Sequence, residues 1–154
     1  ERPTACVTAT DVSLDALAVA RDNAYRLGAY NVAFRAGDLL AAAPPGRRFD
    51  VITANPPYVP TAEVATLMPD VRGFEPRLAL DGGDDGLALV RRIVDEAPRW
   101  LAPRGALVLE IGAGEAPEVC ALMRARGFED VTATRDYARI ERIAHGVVGG
   151  SSSG

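Results

Sequence analysis

Short apolar runs alternate with amphipathic helical segments along nearly the whole chain. The apolar runs have the length of strands, and the helical segments carry leucine and alanine at helical spacing. Strands that alternate with helices form a mostly parallel sheet with both faces covered. The sequence therefore predicts an α/β fold with a doubly wound, mostly parallel sheet. The predicted strands are 6–10, 32–36, 49–54, 106–111, 131–135 and 141–148, and the predicted helices are 14–27, 87–101 and 117–126.

The composition is typical of one soluble globular domain. Of 154 residues, 48% are hydrophobic and 25% are charged, which suffices for a single core. The net charge of −4 argues against a nucleic acid as the main partner. No apolar run approaches the ~20 residues of a membrane span, and no signal peptide opens the chain, so we expect a cytoplasmic protein without membrane contact. We assign residues 1–148 to the domain and 149–154 to a flexible tail or expression remnant.

The residues that most often carry metal or acid–base chemistry are few. Cys6 and Cys120 are too few and too far apart for a disulfide framework, and we expect two buried free thiols in a reducing compartment. The sole histidine, His145, lies in a late predicted strand, far in sequence from the polar strand ends, and we expect no catalytic role for it. No metal-ligand cluster and no Ser/His/Asp set is evident.

The tetrapeptide Asn55-Pro56-Pro57-Tyr58 follows the third predicted strand. The prolines stiffen the backbone and donate no N–H, while Asn55 offers an acceptor and two donors and Tyr58 a flat ring. This set suits a planar, neutral NH2 group: the Asn55 side-chain oxygen and the Pro56 carbonyl accept its two N–H bonds, and Tyr58 packs on its face. The alternative is an Asn-Pro turn that closes the strand.

Acidic residues follow the first two predicted strands. Asp11 stands at a strand end before a helix, where α/β folds hold a ribose diol. The alternative is a carboxylate favoured by the positive end of the helix dipole. Asp38, one strand later, is a candidate partner for an adenine amino group.

These strand ends together resemble the class I S-adenosylmethionine-dependent methyltransferases that modify amino groups. A longer stretch, 74–87, resembles more narrowly the peptide chain release factor glutamine methyltransferases. The resemblance covers nearly all of residues 1–148. It is carried by Asp11, Gly37-Asp38-Leu39, Asn55-Pro56-Pro57-Tyr58, the sequence FEPRLALDGGDDGL at 74–87, ALVLEIG at 106–112, and Arg135-Asp136-Tyr137 with Arg142.

The resemblance implies a reaction, a cofactor and a partner. The reaction is N5-methylation of the glutamine in the Gly-Gly-Gln loop of a release factor, with S-adenosyl-L-methionine as cofactor. Asn55 and Pro56 would hold the amide NH2, Pro57 would shape the loop and Tyr58 would pack on the amide plane. The cofactor would lie with its ribose at Asp11, its adenine near Leu39, and its methionine end near Asn55.

The chain departs from the family pattern at its start. The family's first strand and Gly-rich cofactor loop precede the strand that ends at Asp11, and both are absent here, as is the N-terminal helical domain. We therefore expect a Rossmann-like sheet with its first strand missing. The strands ending at Asp11 and Asn55 would pair directly, accept a strand from another chain, or leave the domain marginally folded. Of these outcomes we expect self-association.

Two other functions stay open at this point. Residues 107–114, LVLEIGAG, resemble a cofactor motif of strand, acid and Gly-x-Gly. With that motif after NPPY, the chain would be a permuted N6-adenine nucleic-acid methyltransferase. The other alternative is a methyltransferase-like scaffold without catalytic activity.

Overall fold

The computed structural model describes residues 4–66 and 77–150, with the backbone alone at residues 77 and 78. The chain divides into two compact units, Glu1–Arg47 (unit 1) and Arg48–Gly154 (unit 2). Strands alternate with helices in both units, so the predicted α/β class is confirmed. Among the described residues, no helix is long and apolar enough to cross a membrane.

Unit 1 is built on one parallel pair of strands joined by a helix. Strand β1, Val7–Asp11, pairs with β2, Val32–Ala36, in a register that places Asp11 opposite Ala36. Helix α1, Leu14–Arg26, connects them. The Ser13 hydroxyl accepts the Ala16 N–H at 3.1 Å, which satisfies one of the donors left free at the helix start. The carboxyl ends of both strands therefore lie at the same edge of this sheet.

Unit 2 contains a four-stranded sheet in the order β3-β4-β6-β5. Strands β3 and β4 are parallel, while β6 runs antiparallel to both β4 and β5. The parallel pairing predicted from the sequence thus holds for β1 with β2 and for β3 with β4. The final two strands, β5 and β6, form an antiparallel hairpin. The elements of unit 2 are β3 Phe49–Ala54, α2 Thr61–Val64, α3 Arg77–Leu80, α4 Ala88–Trp100, β4 Leu101–Glu110, α5 Ala116–Ala125, β5 Phe128–Arg135 and β6 Glu141–Val148.

The core of unit 2 is formed by alternate residues of β4 and the inner faces of α4 and α5. Leu107 and Leu109 on β4 are fully buried, as are Val90 on α4 and Val119 on α5. Burying each such side chain contributes on the order of 1.5–3 kcal/mol. This packing fixes β4, and the parallel β3–β4 register then fixes where β3 ends.

Some predicted boundaries are wrong. Strand β4 begins at Leu101, not at residue 106, because Phe49 pairs with Leu101 while Val51 pairs with Ala106. Residues 102–105 form a bulge between these pairs. Pro103 and Gly105 lie in this bulge, and in the sequence they indicated a loop before the strand. The stretch 59–86, predicted as a loop, contains the single-turn helices α2 and α3, which are too short to show a helical period. Phe74 to Pro76 lie outside the described residues.

The structure corrects the prediction for one cysteine and bears on one of the outcomes left open for the strand pairing. Cys120 is a buried free thiol as expected, but Cys6 is exposed, because it precedes β1 outside the paired register. Burial raises the pKa of the Cys120 thiol. Direct pairing of the strands that end at Asp11 and Asn55 is not observed: among the described residues, β1 pairs with β2 and β3 pairs with β4.

Candidate active site

The tetrapeptide Asn55-Pro56-Pro57-Tyr58 leaves the sheet directly after β3. Ala54, the last residue of β3, lies opposite Leu109 near the carboxyl end of β4. Asn55 is exposed, Pro56 is buried, and Pro57 and Tyr58 are half-buried. The buried proline anchors the loop, and the Asn55 amide stays accessible to a molecule that approaches this edge of the sheet.

The segment that follows α3 runs along the continuation of this loop. Val59 and Asp81 form an isolated parallel bridge, and the Gly82 N–H donates to the Val59 carbonyl at 2.8 Å. The Thr61 hydroxyl donates to Asp81 Oδ1 at 2.6 Å, and the Thr61 N–H donates to the Gly83 carbonyl at 2.9 Å. The two stretches that carry the family resemblance are therefore joined by backbone and side-chain hydrogen bonds.

Two glycines allow these stretches to approach closely. A Cβ on Gly82 would lie 2.8 Å from the Pro57 carbonyl oxygen, and a Cβ on Gly86 would lie 2.5 Å from the Tyr58 carbonyl oxygen. Both distances are shorter than any real Cβ contact, and Gly86 also has φ +81°. Only glycine fits here without moving the backbone of the Pro57-Tyr58 segment.

Glu115 closes the same region from the side of β4 and α5. Its Oε2 accepts the Gly112 N–H at 2.7 Å, and its Oε1 lies 3.0 Å from the position of a Cβ on Gly86. Burial of the carboxyl raises its pKa, with a smaller contribution in the same direction from the negative charges of Asp85 and Glu118. Sequence reasoning did not assign Glu115 to the site. The available signal was a glutamate three residues after a glycine, positioned to reach back to a backbone N–H.

An ion cluster holds the segment after Gly83 to two helices. Arg91 of α4 donates to Asp85 at 2.6 Å and to Glu118 of α5 at 2.9 Å. Asp85 also accepts the Leu87 N–H at 3.1 Å. The Arg91 guanidinium, followed by this backbone bond, lowers the pKa of Asp85 to about 2. All three side chains of the cluster are exposed, so their ion pairs add little to the free energy of unfolding. Their main effect is to fix the position of the segment relative to the two helices.

The predicted cofactor residues of unit 1 gather at one end of the β1–β2 pair. Asp11 is exposed, its Oδ1 accepts the Ser13 N–H at 2.8 Å, and its main-chain oxygen accepts the Gly37 N–H at 3.0 Å. Asp38 is exposed and precedes a turn of 3-10 helix, Leu39–Ala42. Leu39 has φ +47°, a conformation that leucine rarely adopts. The structure brings Asp11, Asp38 and Leu39 together in unit 1, and Asn55 to Tyr58 belong to unit 2.

The geometry disfavours the permuted cofactor motif at 107–114. The Gly112 N–H already donates to Glu115, and a Cβ on Gly112 would lie 2.8 Å from the Glu115 carboxyl carbon. The space beside this glycine is thus filled by the chain's own side chain. His145 lies on β6, where its Nε2 is 2.8 Å from the Thr132 hydroxyl of β5. In the described part of the chain, no cluster of three or more His, Cys, Asp or Glu side chains has the arrangement of a metal site.

Comparisons with known proteins find similarity to methyltransferases. The family model of the methyltransferase small domain matches residues 1–69. The chain is 44% identical to a release factor glutamine methyltransferase of Geobacter sulfurreducens, over 96% of this chain and 51% of the relative. It is 47% identical to a protein of the same name from Bordetella pertussis, over 94% of this chain and 53% of the relative.

A solved structure gives the same result. The crystal structure of a release factor-specific protein-(glutamine-N5) methyltransferase from Alicyclobacillus acidocaldarius matches with a TM-score of 0.51 and 26% identity, over 93% of this chain and 79% of that one. Its fold is the Rossmann-like class I fold expected from the sequence. The chain spans about half the length of the curated relatives it matches. By sequence, nearly the whole chain is similar to about half of each of these release factor glutamine methyltransferases, and by fold it is similar to the solved methyltransferase.

Proposed function

We propose that this chain is the catalytic region of an enzyme that carries out S-adenosyl-L-methionine-dependent N5-methylation of the glutamine in the Gly-Gly-Gln loop of a peptide chain release factor. One observation carries the proposal. The Asn55–Tyr58 tetrapeptide and the 81–87 segment, by which the chain most resembles the family, lie against each other in unit 2, joined by the Val59–Asp81 bridge and the Gly82 and Gly86 contacts. The similarity of the curated relatives supports it.

The residues of unit 2 are suited to orient an amide. The exposed Asn55 side-chain oxygen and the Pro56 carbonyl accept the two N–H bonds of the substrate NH2, and the half-buried Tyr58 packs on the amide plane. Pro57 holds the backbone between them, with its carbonyl against Gly82. An amide nitrogen is a poor nucleophile, so its lone pair must be aimed at the group it attacks. Fixed acceptors achieve this by positioning, without a strong general base.

The residues of unit 1 fit the nucleoside part of the cofactor. The exposed Asp11 carboxylate at a parallel strand end has the chemistry that binds ribose hydroxyls. Leu39, with φ +47°, adopts a strained conformation of the kind that clusters at ligand sites, and it lies next to Asp38, the candidate for the adenine amino group. When bound, S-adenosyl-L-methionine supplies an electrophilic methyl group on a sulfonium. Within unit 1, Asp11, Asp38 and Leu39 would position the nucleoside.

The proposed partner is a protein, and the proposed compartment is the cytoplasm, where release factors act. The net charge of −4 disfavours direct nucleic-acid binding. Because the chain spans about half of its curated relatives, the assays use both the chain and an extended chain, in which a relative's remaining segment restores that length. We expect tight S-adenosyl-L-methionine binding in calorimetry for the extended chain only. Equal tight binding by both would contradict the importance assigned to the upstream Gly-rich loop.

The role of Asn55 is tested by Asn55→Ala in the extended chain. Loss of one transition-state hydrogen bond is expected to lower turnover of a release factor by roughly 100-fold or more. Cofactor affinity in calorimetry should change much less. Asp11→Asn is the complementary variant, and it should weaken cofactor binding first. Methylation is measured by mass spectrometry of the glutamine-containing peptide. A near-parental rate for Asn55→Ala would refute its role, and no methylation by the parent would favour the non-catalytic scaffold.

A further inference from the structure

The turn between β5 and β6 presents an aromatic side chain entirely to solvent. Tyr137 has a relative exposure of 110%, the highest among the large hydrophobic and aromatic residues of the described chain. Tyr137 belongs to the Arg135-Asp136-Tyr137 motif that fits the family, yet the proposed chemistry gives this motif no task. An exposed aromatic ring at a defined position is a common anchor of protein interfaces.

The turn is closed by its own hydrogen bonds. The Asp136 N–H donates to the Ile140 carbonyl at 2.8 Å, and the Ile140 N–H donates to Asp136 Oδ1 at 3.0 Å. The Arg139 N–H donates to the Asp136 carbonyl at 2.9 Å, and Arg139 takes φ +63° to complete the turn. The backbone that carries Tyr137 is therefore already ordered in the free protein. This lowers the entropic cost of ordering the turn when a partner binds the ring.

The strand register places this turn at the same edge of the sheet as Asn55. Ala54 pairs with Leu109, Leu109 with Ala144, and Ala144 with Ala133, so these four residues form one row across the sheet. Beyond this row β3 continues into Asn55 and β5 continues into the turn. Neighbouring strands lie about 4.8 Å apart, so the row spans roughly 14 Å.

A folded protein that delivers an amide to Asn55 must also cover the surface around it. Each partner in a standard protein interface contributes about 800 Å², a patch with a radius of roughly 16 Å. Tyr137 lies three residues further beyond the row than Asn55, which puts it roughly 17 Å from Asn55, at the border of such a patch. We infer that Tyr137, on the turn 136–140, contacts the domain of the release factor that carries the target glutamine. This inference rests on the proposed function.

The charges of the turn are largely balanced within it. Arg142 lies 3.8 Å from Asp136, and Arg135 lies 3.8 Å from Glu141. With these two arginines paired in the free protein, Arg139 is the further charge of the turn, and the aromatic ring is the main apolar contribution to binding. The contact is therefore expected to persist at moderate salt, unlike a contact made through exposed ion pairs.

The test compares a long and a short substrate with variants of the extended chain. Tyr137→Ala is expected to raise the KM for the intact release factor about tenfold, with kcat within twofold of the parent. Tyr137→Phe should retain most of the affinity because it keeps the ring. A pentapeptide centred on the glutamine reaches only about 8 Å to either side. Its KM should be the same for Tyr137→Ala and the parent.

Glu129→Ala serves as the control, because Glu129 is exposed near the opposite end of the same sheet. There it lies opposite Val147 in the strand register, and its carboxylate forms an ion pair with Arg104. It should leave both KM values unchanged. An unchanged KM of Tyr137→Ala for the intact release factor would overturn the inference and leave the proposed function standing. An equal rise with the pentapeptide would also overturn it, because the effect would then arise inside the site. A parent that methylates neither substrate would refute the proposed function itself.

Discussion

The carbonyl oxygen of Tyr58 lies so close to the α-carbon of Gly86 that a Cβ on Gly86 would be 2.5 Å from it. This contact couples the loop proposed to hold the substrate amide to the segment before α4. Since Gly86 also has φ +81° and faces Glu115, three separate parts of the chain meet at this one glycine. The shape of the loop Asn55–Tyr58 therefore depends on residues distant in sequence.

Gly86→Ala is expected to impair both stability and turnover. Alanine in a left-handed conformation costs about 1–2 kcal/mol, and displacing the Tyr58 backbone costs roughly a further 1–3 kcal/mol. Gly114→Ala is the matched control, because Gly114 has φ +89° but nothing within 4 Å of an added Cβ. Urea unfolding should show the smaller loss for Gly114→Ala, and release factor methylation should fall only for Gly86→Ala. Equal effects of the two substitutions would mean that the Tyr58 contact is irrelevant.

The position of the loop Asn55–Tyr58 was predictable from sequence because its signals are local. The apolar run 49–54 followed by Asn55-Pro56 marks a strand end, and β3 ends at Ala54 as predicted. The contribution of Glu115 was not predictable, because its partners, Gly112 and Gly86, are brought together only by the packing of β4 and α5. The exposed position of Cys6 likewise depends on where pairing with β2 begins, which composition does not reveal.

Glu115→Gln is expected to change how stability depends on pH. Burial raises the pKa of Glu115 in the folded chain above its unfolded value, so the folded state binds more protons. Its contribution to stability is therefore full at low pH and is lost as the pH rises from about 4 through the raised pKa. Glutamine keeps an acceptor for the Gly112 N–H but does not ionise.

The measurement is the free energy of urea unfolding of parent and Glu115→Gln between about pH 4 and pH 7. As the pH rises, the free energy of unfolding of Glu115→Gln should increase relative to that of the parent. Asp85 acts in the opposite direction: its pKa is lowered to about 2, so its contribution is present at neutral pH and lost as the pH falls towards 2. Because both proteins contain Asp85, the comparison isolates Glu115. A difference that stays constant across this range would contradict the assigned burial effect.

Strand β3 is the end strand of its sheet, and we predict that the chain self-associates through it. In the described residues β3 pairs with β4 alone, so one row of its backbone N–H and C=O groups has no strand partner. Val51, in the middle of β3, is 55% exposed. An end strand with an exposed apolar residue is a template for pairing with another chain, and an added charge on it opposes such pairing.

Sedimentation velocity over a range of concentrations should show a rising average mass for the chain. Val51→Lys is expected to weaken the association about tenfold, equivalent to ~1.4 kcal/mol. Val19→Lys is the matched control, since Val19 is 61% exposed but lies on α1, where lysine is a good helix former. The control should associate as the parent does. A parent that stays monomeric at every concentration would refute the prediction, and equal weakening by both lysines would attribute the effect to net charge instead of to the β3 edge.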